Sequence, residues 1–216
     1  MVKLFLTRHG QTEWNVEKRM QGQMDSNLTD LGRKQAEALG KRLADEKIDV
    51  IYSSPLGRAL DTAKLIRGNR TIEILTDEGL MELYLGPWQG RLLSEVSEEF
   101  PTQTENFWKH PKLYERTDAE SYFQLLERAS NAIARIAEKE KGKNVLIVTH
   151  GIVLKTLRAY FQYQGIDEIA NYPKSPLSTA LSIVEQKDGR WNIRLWNDTA
   201  HYEFIQEETA NTGNAF

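Results

Sequence analysis

The chain has 216 residues, a net charge of −3 and no cysteine, and this length fits one large α/β domain over residues 1–216 better than two small domains. The nearly balanced charge, without a long lysine or arginine cluster, argues against a nucleic-acid or anionic-membrane surface, and the missing cysteines exclude disulfides, thiolate nucleophiles and cysteine-ligated zinc. The N-terminal apolar run is too short for a signal peptide, and no stretch approaches the roughly 18 apolar residues of a membrane span, so we expect a cytoplasmic protein without nucleic-acid or membrane partners.

Strand and helix patterns alternate along the chain. Strands are predicted at residues 3–7, 49–52, 71–75, 144–148, 180–185 and 191–196. Helices are predicted from a cap at Thr29 to about Lys47, after a turn at residues 53–55, from a cap at Ser121 to Lys141, and over residues 151–161. The last two strands alternate like an antiparallel hairpin at a sheet edge. This order predicts a three-layer α/β sandwich, with a mostly parallel central sheet, helices on both faces and an antiparallel edge strand.

Three stretches depart from this alternation. Residues 76–90 are predicted to form a glycine-rich loop that carries Glu82. Residues 92–120 are predicted to form a helical, cap-like insertion, with Pro101 and Pro111 breaking it into short pieces. The polar tail at about 205–216 is expected to be flexible.

Two His-Gly pairs, His9-Gly10 and His150-Gly151, each follow a predicted buried strand. Ligands of open α/β sheets bind outside the carboxyl ends of the strands, where Arg8 and Arg58 are also predicted to lie. Taken singly, each histidine could be a core or loop residue, and Arg58 could be a surface arginine paired with Asp61. Together they predict an anion site with phosphate as the leading ligand, because guanidinium donors engage two oxygens at once.

Histidine is the remaining candidate for a phosphoryl acceptor, since the chain has neither cysteine nor a G-x-x-x-x-G-K-[ST] loop nor an H-E-x-x-H helix. A nucleophilic imidazole must be neutral, and neighbouring arginines would disfavour the protonated form of His9. A carboxylic acid beside it could protonate the leaving alkoxide and later deprotonate water. Glu82 is the best candidate for this acid, although on position alone it could be a solvated loop carboxylate.

The segment Arg8-His9-Gly10-Gln11-Thr12-Glu13-Trp14-Asn15 resembles the R-H-G-[EQ]-[TS]-x-x-N signature of the histidine phosphatase superfamily, the phosphoglycerate mutase-like proteins. The resemblance continues in order through Gln21-Gly22, Leu28-Thr29-x-x-Gly32, Ser53-x-x-x-x-Arg58-x-x-x-Thr62-Ala63, Glu82-x-x-x-Gly86-x-x-x-Gly90 and Val148-Thr149-His150-Gly151. These blocks span residues 3 to about 160.

This resemblance implies a role for each matching position. His9 would become the phosphohistidine, and Glu82 would be the proton donor and acceptor. Arg8, Arg58 and His150 would hold the phosphoryl oxygens. Further contacts to phosphate or substrate are expected from Asn15, Gln21, Gly22 and Gly151. Family members use no metal, so neither a metal nor a cofactor is expected.

The stretch Glu82-Leu83-Tyr84-Leu85-Gly86 departs from the E-R-x-Y-G motif of the cofactor-dependent phosphoglycerate mutases, because leucines replace the arginine and the tyrosine. The segment 92–116 also lacks the adjacent arginine pair of those mutases. A second anionic group would find few partners, which favours a metal-independent phosphomonoester hydrolase acting on a small phosphorylated metabolite.

Two alternatives stay open. One is a cofactor-dependent phosphoglycerate mutase, and the other is a binding or regulatory module of the same fold with weak catalysis. The physiological substrate and the oligomeric state are also open, a homodimer being one possibility. Four aromatic residues of the variable region could line a substrate pocket or belong to the core: Trp88, Phe107, Trp108 and Tyr114.

Overall fold

The structure, a computed structural model, describes residues 1–171 and 176–202. The strands are β1 (Val2–Arg8), β2 (Val50–Ser53), β3 (Ile74–Thr76), β4 (Asn144–Thr149), β5 (Leu181–Lys187) and β6 (Arg190–Asp198). The helices are α1 (Glu13–Glu17), α2 (Asp30–Arg42), α3 (Gly57–Arg67), α4 (Leu93–Glu99), α5 (Pro101–Lys109), α6 (Tyr122–Lys139) and α7 (Gly151–Phe161). The tail predicted at about 205–216 lies outside the described residues. The assignment of residues 1–216 to a single domain stays a prediction.

In the described part of the chain, the strands form one sheet in the order β3-β2-β4-β1-β5-β6. The first four of these run parallel, whereas β5 pairs antiparallel with β1, and β6 pairs antiparallel with β5. β4 lies between β2 and β1 and is buried along nearly its whole length, as its continuous apolar sequence predicts for a central parallel strand. The mostly parallel sheet with an antiparallel edge is confirmed.

Helices cover both faces of the sheet because alternate side chains of each strand point to opposite sides. On one face, Phe5 and Leu146 pack with the buried side chains of α2 and α3. On the other face, Leu4 and Ile147 pack with those of α6 and α7. The predicted three-layer sandwich is therefore confirmed.

The two predicted helix caps are also confirmed. The Thr29 hydroxyl accepts a hydrogen bond from the Gly32 N–H at 3.0 Å, where α2 begins. At the start of α6, the Ser121 hydroxyl accepts from the Gln124 N–H, and the Gln124 side chain accepts from the Ser121 N–H. Such reciprocal bonds satisfy backbone donors that a helix leaves unpaired at its first turn.

Two boundaries differ from the prediction. Helix α2 ends at Arg42 rather than near Lys47. Leu43 and Ile48 are both buried, but in a continued helix they would point about 140° apart, so the chain turns instead. The third strand begins at Ile74 rather than at residue 71, because it pairs with only three residues of β2.

The insertion at 92–120 contains α4, α5 and a 3₁₀ turn at Pro111–Leu113. Its aromatic side chains surround the buried Trp88, whose ring centroid lies 6.0, 6.1 and 5.7 Å from those of Phe100, Phe107 and Tyr114. The guanidinium of Arg116 lies 4.5 Å from the same ring centroid. Through this packing, α5 brings Phe107 and Trp108 to the same pocket as Arg8 and His9.

Candidate active site

The carboxyl ends of β1, β2 and β4 meet at one edge of the sheet, as parallel pairing requires. Arg8 ends β1, and His9 follows it. Arg58 lies in the first turn of α3, and His150 caps α7 directly after β4. The structure thus brings together four predicted side chains that are up to 142 positions apart in sequence, Arg8 and His150 being the extremes.

His9 is 3% exposed, and both of its ring nitrogens have partners. Nδ1 lies 2.7 Å from the Gly10 carbonyl oxygen, and the Arg58 Nε–H donates to Nε2 over 3.3 Å. A carbonyl can only accept, so this arrangement assigns the proton to Nδ1 and a lone pair to Nε2. Burial lowers the pKa of His9 well below its usual value, and the charges of Arg58 and Arg8 add to that effect, against a smaller opposing effect of the Gly10 bond. The imidazole is therefore neutral near pH 7.

Arg58 is buried and held from several sides. Its NH2 group donates to the Gly22 carbonyl at 2.7 Å, and its NH1 group donates to the Met24 carbonyl at 2.7 Å and to the Asp25 carboxylate at 3.0 Å. Asp61 pairs with Lys64 instead, so the interpretation of Arg58 as a surface partner of Asp61 is wrong. These bonds orient the guanidinium towards His9.

Gly22 has a positive φ of 54°, and a side chain there would strike Gln89, whose Oε1 atom would lie 2.4 Å from the added Cβ. This turn aims the Gly22 carbonyl at Arg58. The glycine at this position is thus required by the loop that holds the arginine.

His150 is fully buried, and its ring centroid lies 5.2 Å from that of His9. Its Nε2 atom is 2.8 Å from the Ser54 hydroxyl, which also accepts the Leu56 N–H at 3.3 Å. Burial lowers the pKa of His150 well below its usual value, with a further contribution from the charge of Arg58. The His150 ring packs against the His9 ring on the side away from the pocket, and it does not line the pocket. Sequence reasoning missed Ser54, although its place directly after a predicted strand was an available signal.

Glu82 lies in the loop after β3, at the wall of the pocket. One carboxylate oxygen accepts the Leu83 N–H at 2.9 Å, and the other accepts the Ile152 N–H at 3.2 Å in the first turn of α7. Burial raises the pKa of Glu82, while these hydrogen bonds and the charge of Arg58 oppose the rise. The carboxyl group therefore keeps a proton to higher pH than an ordinary glutamate does.

The remaining predicted residues line the same pocket. Asn15 completes a capping box with Thr12, the N-cap of α1, since its Oδ1 atom accepts from the N–H and the hydroxyl of Thr12, both at 3.0 Å. The Gln21 Oε1 atom accepts from the Ser26 hydroxyl. Within the described residues, the amide NH2 groups of Asn15 and Gln21 make no hydrogen bond, so both donors are available to a ligand.

Arg8 and Gly151 lie side by side at the pocket. Arg8 is 8% exposed, and its NH1 group donates to the Pro176 carbonyl at 3.2 Å. A Cβ atom added to Gly151 would lie 3.6 Å from the Arg8 Nε atom, in van der Waals contact with the guanidinium group. Gly151 is also the first residue of α7, whose N-terminus favours anions.

The wall beyond these polar groups is largely apolar, formed by Met20, Leu83, Leu85, Phe107 and Trp108. The structure thus divides the four variable-region aromatics: Phe107 and Trp108 line the pocket, Phe107 being buried as well, whereas Trp88 and Tyr114 are buried in the core away from it. A further cation, Arg19, reaches the pocket, with its Nε–H bonded to Glu17 and its NH1 group bonded to the Gly90 carbonyl.

Residues 1–171 and 176–202 contain neither a cluster of metal-binding side chains nor a membrane-spanning helix. Their histidine and carboxylate side chains form no group of three or more that could hold a metal ion. None of the helices found there combines the length and the apolar character that crossing a membrane requires.

Comparison with known proteins shows which family the chain belongs to. A model of the histidine phosphatase superfamily (branch 1) matches residues 4–199. The chain belongs to this superfamily. Phosphoglycerate mutase-like protein 4 of Arabidopsis thaliana is 36% identical, over 93% of this chain and 87% of its own. The metal-independent phosphoserine phosphatase of the same plant is 35% identical, over 95% and 85%. The structure of Bacillus stearothermophilus YhfR superposes with a TM-score of 0.91 at 42% identity, covering 94% of this chain and all of that one.

These findings confirm the family and the α/β fold expected from the motifs. They also show that this histidine phosphatase superfamily member is a phosphatase enzyme.

Proposed function

We propose that this enzyme hydrolyses phosphomonoesters of small metabolites through a phosphohistidine at His9, without a metal ion or other cofactor. The observation that carries the proposal is the His9 ring, whose proton lies on Nδ1 against the Gly10 carbonyl while Nε2 keeps a lone pair beside Arg58. A neutral imidazole held among cations is suited to attack phosphorus, because the charges that attract the substrate also keep the nucleophile unprotonated.

The first chemical step transfers the phosphoryl group to His9. The Nε2 lone pair forms a bond to phosphorus as the bond from phosphorus to the substrate's alcohol oxygen breaks. Arg8 and Arg58 stabilise the phosphoryl oxygens, and Asn15, Gln21, Gly22 and Gly151 complete the contacts around them. His150 packs beside His9, behind these groups. The Glu82 carboxyl group gives its proton to the leaving alkoxide, which departs as the alcohol.

The second step regenerates the enzyme. The Glu82 carboxylate takes a proton from water as the water oxygen attacks phosphorus, and the bond to Nε2 breaks. Inorganic phosphate leaves, and both His9 and Glu82 return to their starting protonation states. The raised pKa of Glu82 supports its role as the acid, because a larger fraction of the carboxyl groups carries the proton that the first step needs.

The pocket favours hydrolysis over mutase chemistry. A mutase must retain a second anionic group, yet Leu83, Leu85, Phe107 and Trp108 occupy the wall beyond the phosphate site. Arg19 is the further cation lining the described pocket, and its charge is already engaged by Glu17 at 2.5 Å. Phosphoserine, named for the plant relative, belongs in any substrate panel, alongside phosphoglycerates and sugar phosphates.

The test of the nucleophile compares the wild-type enzyme with His9→Ala on p-nitrophenyl phosphate at mildly acidic pH. We expect the substitution to reduce turnover at least about 10⁴-fold, as removal of a covalent nucleophile does in other enzymes. His110→Ala is the matched control, because His110 is exposed at the end of α5 and outside the pocket. Quenched turnover should give an acid-labile phosphoryl adduct that His9→Ala lacks, and a chelator should leave activity unchanged. Equal turnover of the two proteins would refute the assignment of His9.

A second experiment separates hydrolysis from the alternatives. Wild-type enzyme is given 3-phosphoglycerate with and without 2,3-bisphosphoglycerate, and released phosphate is measured beside 2-phosphoglycerate. Phosphate release should exceed isomer formation in both conditions. Bisphosphoglycerate-dependent isomerisation faster than hydrolysis would establish the mutase instead, and no turnover across the whole substrate panel would favour a binding module.

A further inference from the structure

Arg128 of α6 donates three hydrogen bonds to the loop that carries Glu82. Its NH1 group donates to the carbonyl oxygens of Gly79 and Met81, at 3.1 and 2.7 Å. Its NH2 group donates to the carbonyl oxygen of Glu82 itself, at 2.9 Å. Arg128 does not line the pocket, so it contacts the backbone of the proposed acid and not the ligand space.

Glu120 fixes this guanidinium and holds the far side of the same loop. Its two carboxylate oxygens accept from the Nε and NH2 groups of Arg128, at 2.6 and 2.9 Å. The carboxylate also accepts the Tyr84 N–H at 3.0 Å, and the Glu120 N–H donates to the Tyr84 carbonyl at 2.8 Å. The pair is mostly shielded, with side chains 23% and 12% exposed. The backbone is therefore anchored on both sides of Glu82: at Gly79 and Met81 before it, at the Glu82 carbonyl itself, and at Tyr84 after it.

The loop needs such anchors because, among residues 1–171 and 176–202, no strand pairing holds it. Its regular structure consists of 3₁₀ turns at Glu78–Leu80 and Gly86–Trp88, and Glu82 lies between them. One other side chain supports the same carbonyl, since the Gln23 Nε2 atom donates to it at 3.1 Å. A proton donor must lie within hydrogen-bonding reach of the leaving oxygen, and a misplacement of about 1 Å can cost about 100-fold in rate.

We propose that Arg128, oriented by Glu120, is a positioning residue that sets where the Glu82 carboxyl group lies relative to His9 and thereby controls proton transfer to the leaving group. This inference rests on the proposed role of Glu82 as the acid. The insertion at 92–120 enters the mechanism through the same contact, because Glu120 is its last residue.

The test uses two substrates that differ in their need for an acid. The phenoxide that leaves phenyl phosphate is more basic than the p-nitrophenoxide that leaves p-nitrophenyl phosphate. Loss of proton donation therefore slows the hydrolysis of phenyl phosphate more. The readout is the ratio of kcat/KM for the two substrates. This ratio does not depend on the concentration of folded enzyme, so a variant that folds poorly still gives an answer.

Glu82→Gln sets the reference. We expect it to lower kcat/KM for phenyl phosphate by about 100-fold or more relative to kcat/KM for p-nitrophenyl phosphate. Arg128→Met should shift the ratio in the same direction by about tenfold, because it removes the hydrogen bonds to three loop carbonyl oxygens at once. Smaller shifts in that direction are expected for two conservative variants. Arg128→Lys keeps a single ammonium group as a donor, and Glu120→Gln keeps an oxygen that accepts the Tyr84 N–H.

Arg135→Met is the matched control. Arg135 lies on the same helix and pairs with Asp77 at the start of the same loop, at 3.1 and 3.2 Å, but it does not contact residues 79–82. It should leave the ratio unchanged.

The outcomes are distinct. An unchanged ratio in the Arg128 variants, with the expected shift in Glu82→Gln, would overturn the positioning role and leave the proposed function intact. An equal shift in Arg135→Met would also overturn it, because any loosening of the loop would then suffice. If Glu82→Gln itself leaves the ratio unchanged, the assignment of Glu82 as the acid fails.

Discussion

The strand ends and the acid loop hold their functional groups in different ways. The backbone around His9 is fixed by the sheet, since the His9 N–H donates to the Thr149 carbonyl at 3.0 Å, continuing the pairing of β1 with β4. Glu82 lies in a loop that depends on the side chains of Arg128 and Gln23. Placement of the nucleophile thus follows from strand pairing, whereas placement of the acid depends on a few long-range side-chain contacts.

The two regions also show opposite consequences of the same burial. Burial disfavours a charged group, so it lowers the pKa of His9 and raises the pKa of Glu82. Both shifts favour the neutral forms, an unprotonated nucleophile and a protonated acid. The comparison teaches that one desolvated pocket prepares both partners of the first step.

Apart from loss of the nucleophile itself, the largest expected effect comes from breaking the strand-end region at Arg58. Arg58→Met should lower kcat/KM for p-nitrophenyl phosphate about 10³-fold, because it removes the donor at the His9 Nε2 atom and the charge that binds the phosphoryl group. Arg33→Met, on the exposed side of α2, is the control and should stay within about twofold. A loss below tenfold in Arg58→Met would show that the cation is not central to the site.

The packing beneath the acid loop should be the next most sensitive feature. Trp88→Ala should reduce the free energy of unfolding by about 3–5 kcal/mol, because it leaves a cavity among Phe100, Phe107 and Tyr114. Tyr84→Ala, in the same loop but exposed, should cost no more than about 0.5 kcal/mol. Urea denaturation measures both, and equal losses would contradict this picture of the insertion.

The pH profile should show the two opposite pKa shifts directly. In the wild type, kcat/KM for phenyl phosphate should fall as pH drops through the lowered pKa of His9, since the nucleophile gains a proton. It should also fall as pH rises through the raised pKa of Glu82, since the acid loses its proton. Each limb approaches about tenfold per pH unit.

Glu82→Gln isolates the alkaline limb of that profile. Ionisation of the phosphate ester itself, near pH 6, affects both enzymes equally, so the difference between their profiles reports Glu82. The limb that belongs to Glu82 should vanish in the variant while the acidic limb remains. Identical alkaline limbs in the two enzymes would argue against Glu82 as the acid.

The smallest effect should come from a supporting contact at the strand ends. Ser54→Ala removes the hydrogen bond to the His150 Nε2 atom and should lower kcat/KM about fivefold, the equivalent of about 1 kcal/mol. Ser53→Ala is the matched control, because its buried hydroxyl donates to the Ser54 carbonyl at 2.8 Å and does not contact the histidine. Nitrogen NMR of the His150 ring should change in the first variant alone; a change of equal size in both would point to a general loosening of the strand end.

The sequence predicted the strand-end part of the site well. His9, Arg58 and His150 each follow a short apolar strand, and parallel strands bring their carboxyl ends together whatever the lengths of the helices between them. The glycine-rich pattern placed Glu82 in its loop as the best candidate for the acid, and the family resemblance implied the same role. Arg128 and Ser54 were missed, because hydrogen bonds to a backbone carbonyl or a neighbouring ring leave no motif in the chain.

Local patterns by themselves determined the order of strands and helices, the caps at Thr29 and Ser121, and the edge where the predicted catalytic residues meet. Only the tertiary structure decided that Phe107 and Trp108 line the pocket while Trp88 and Tyr114 do not, and that Arg58 pairs with Asp25 rather than with Asp61. The physical reason is the range of the interactions. Strand and cap signals depend on neighbours within a few residues, whereas the packing of the insertion and the partners of a buried charge depend on residues distant in sequence.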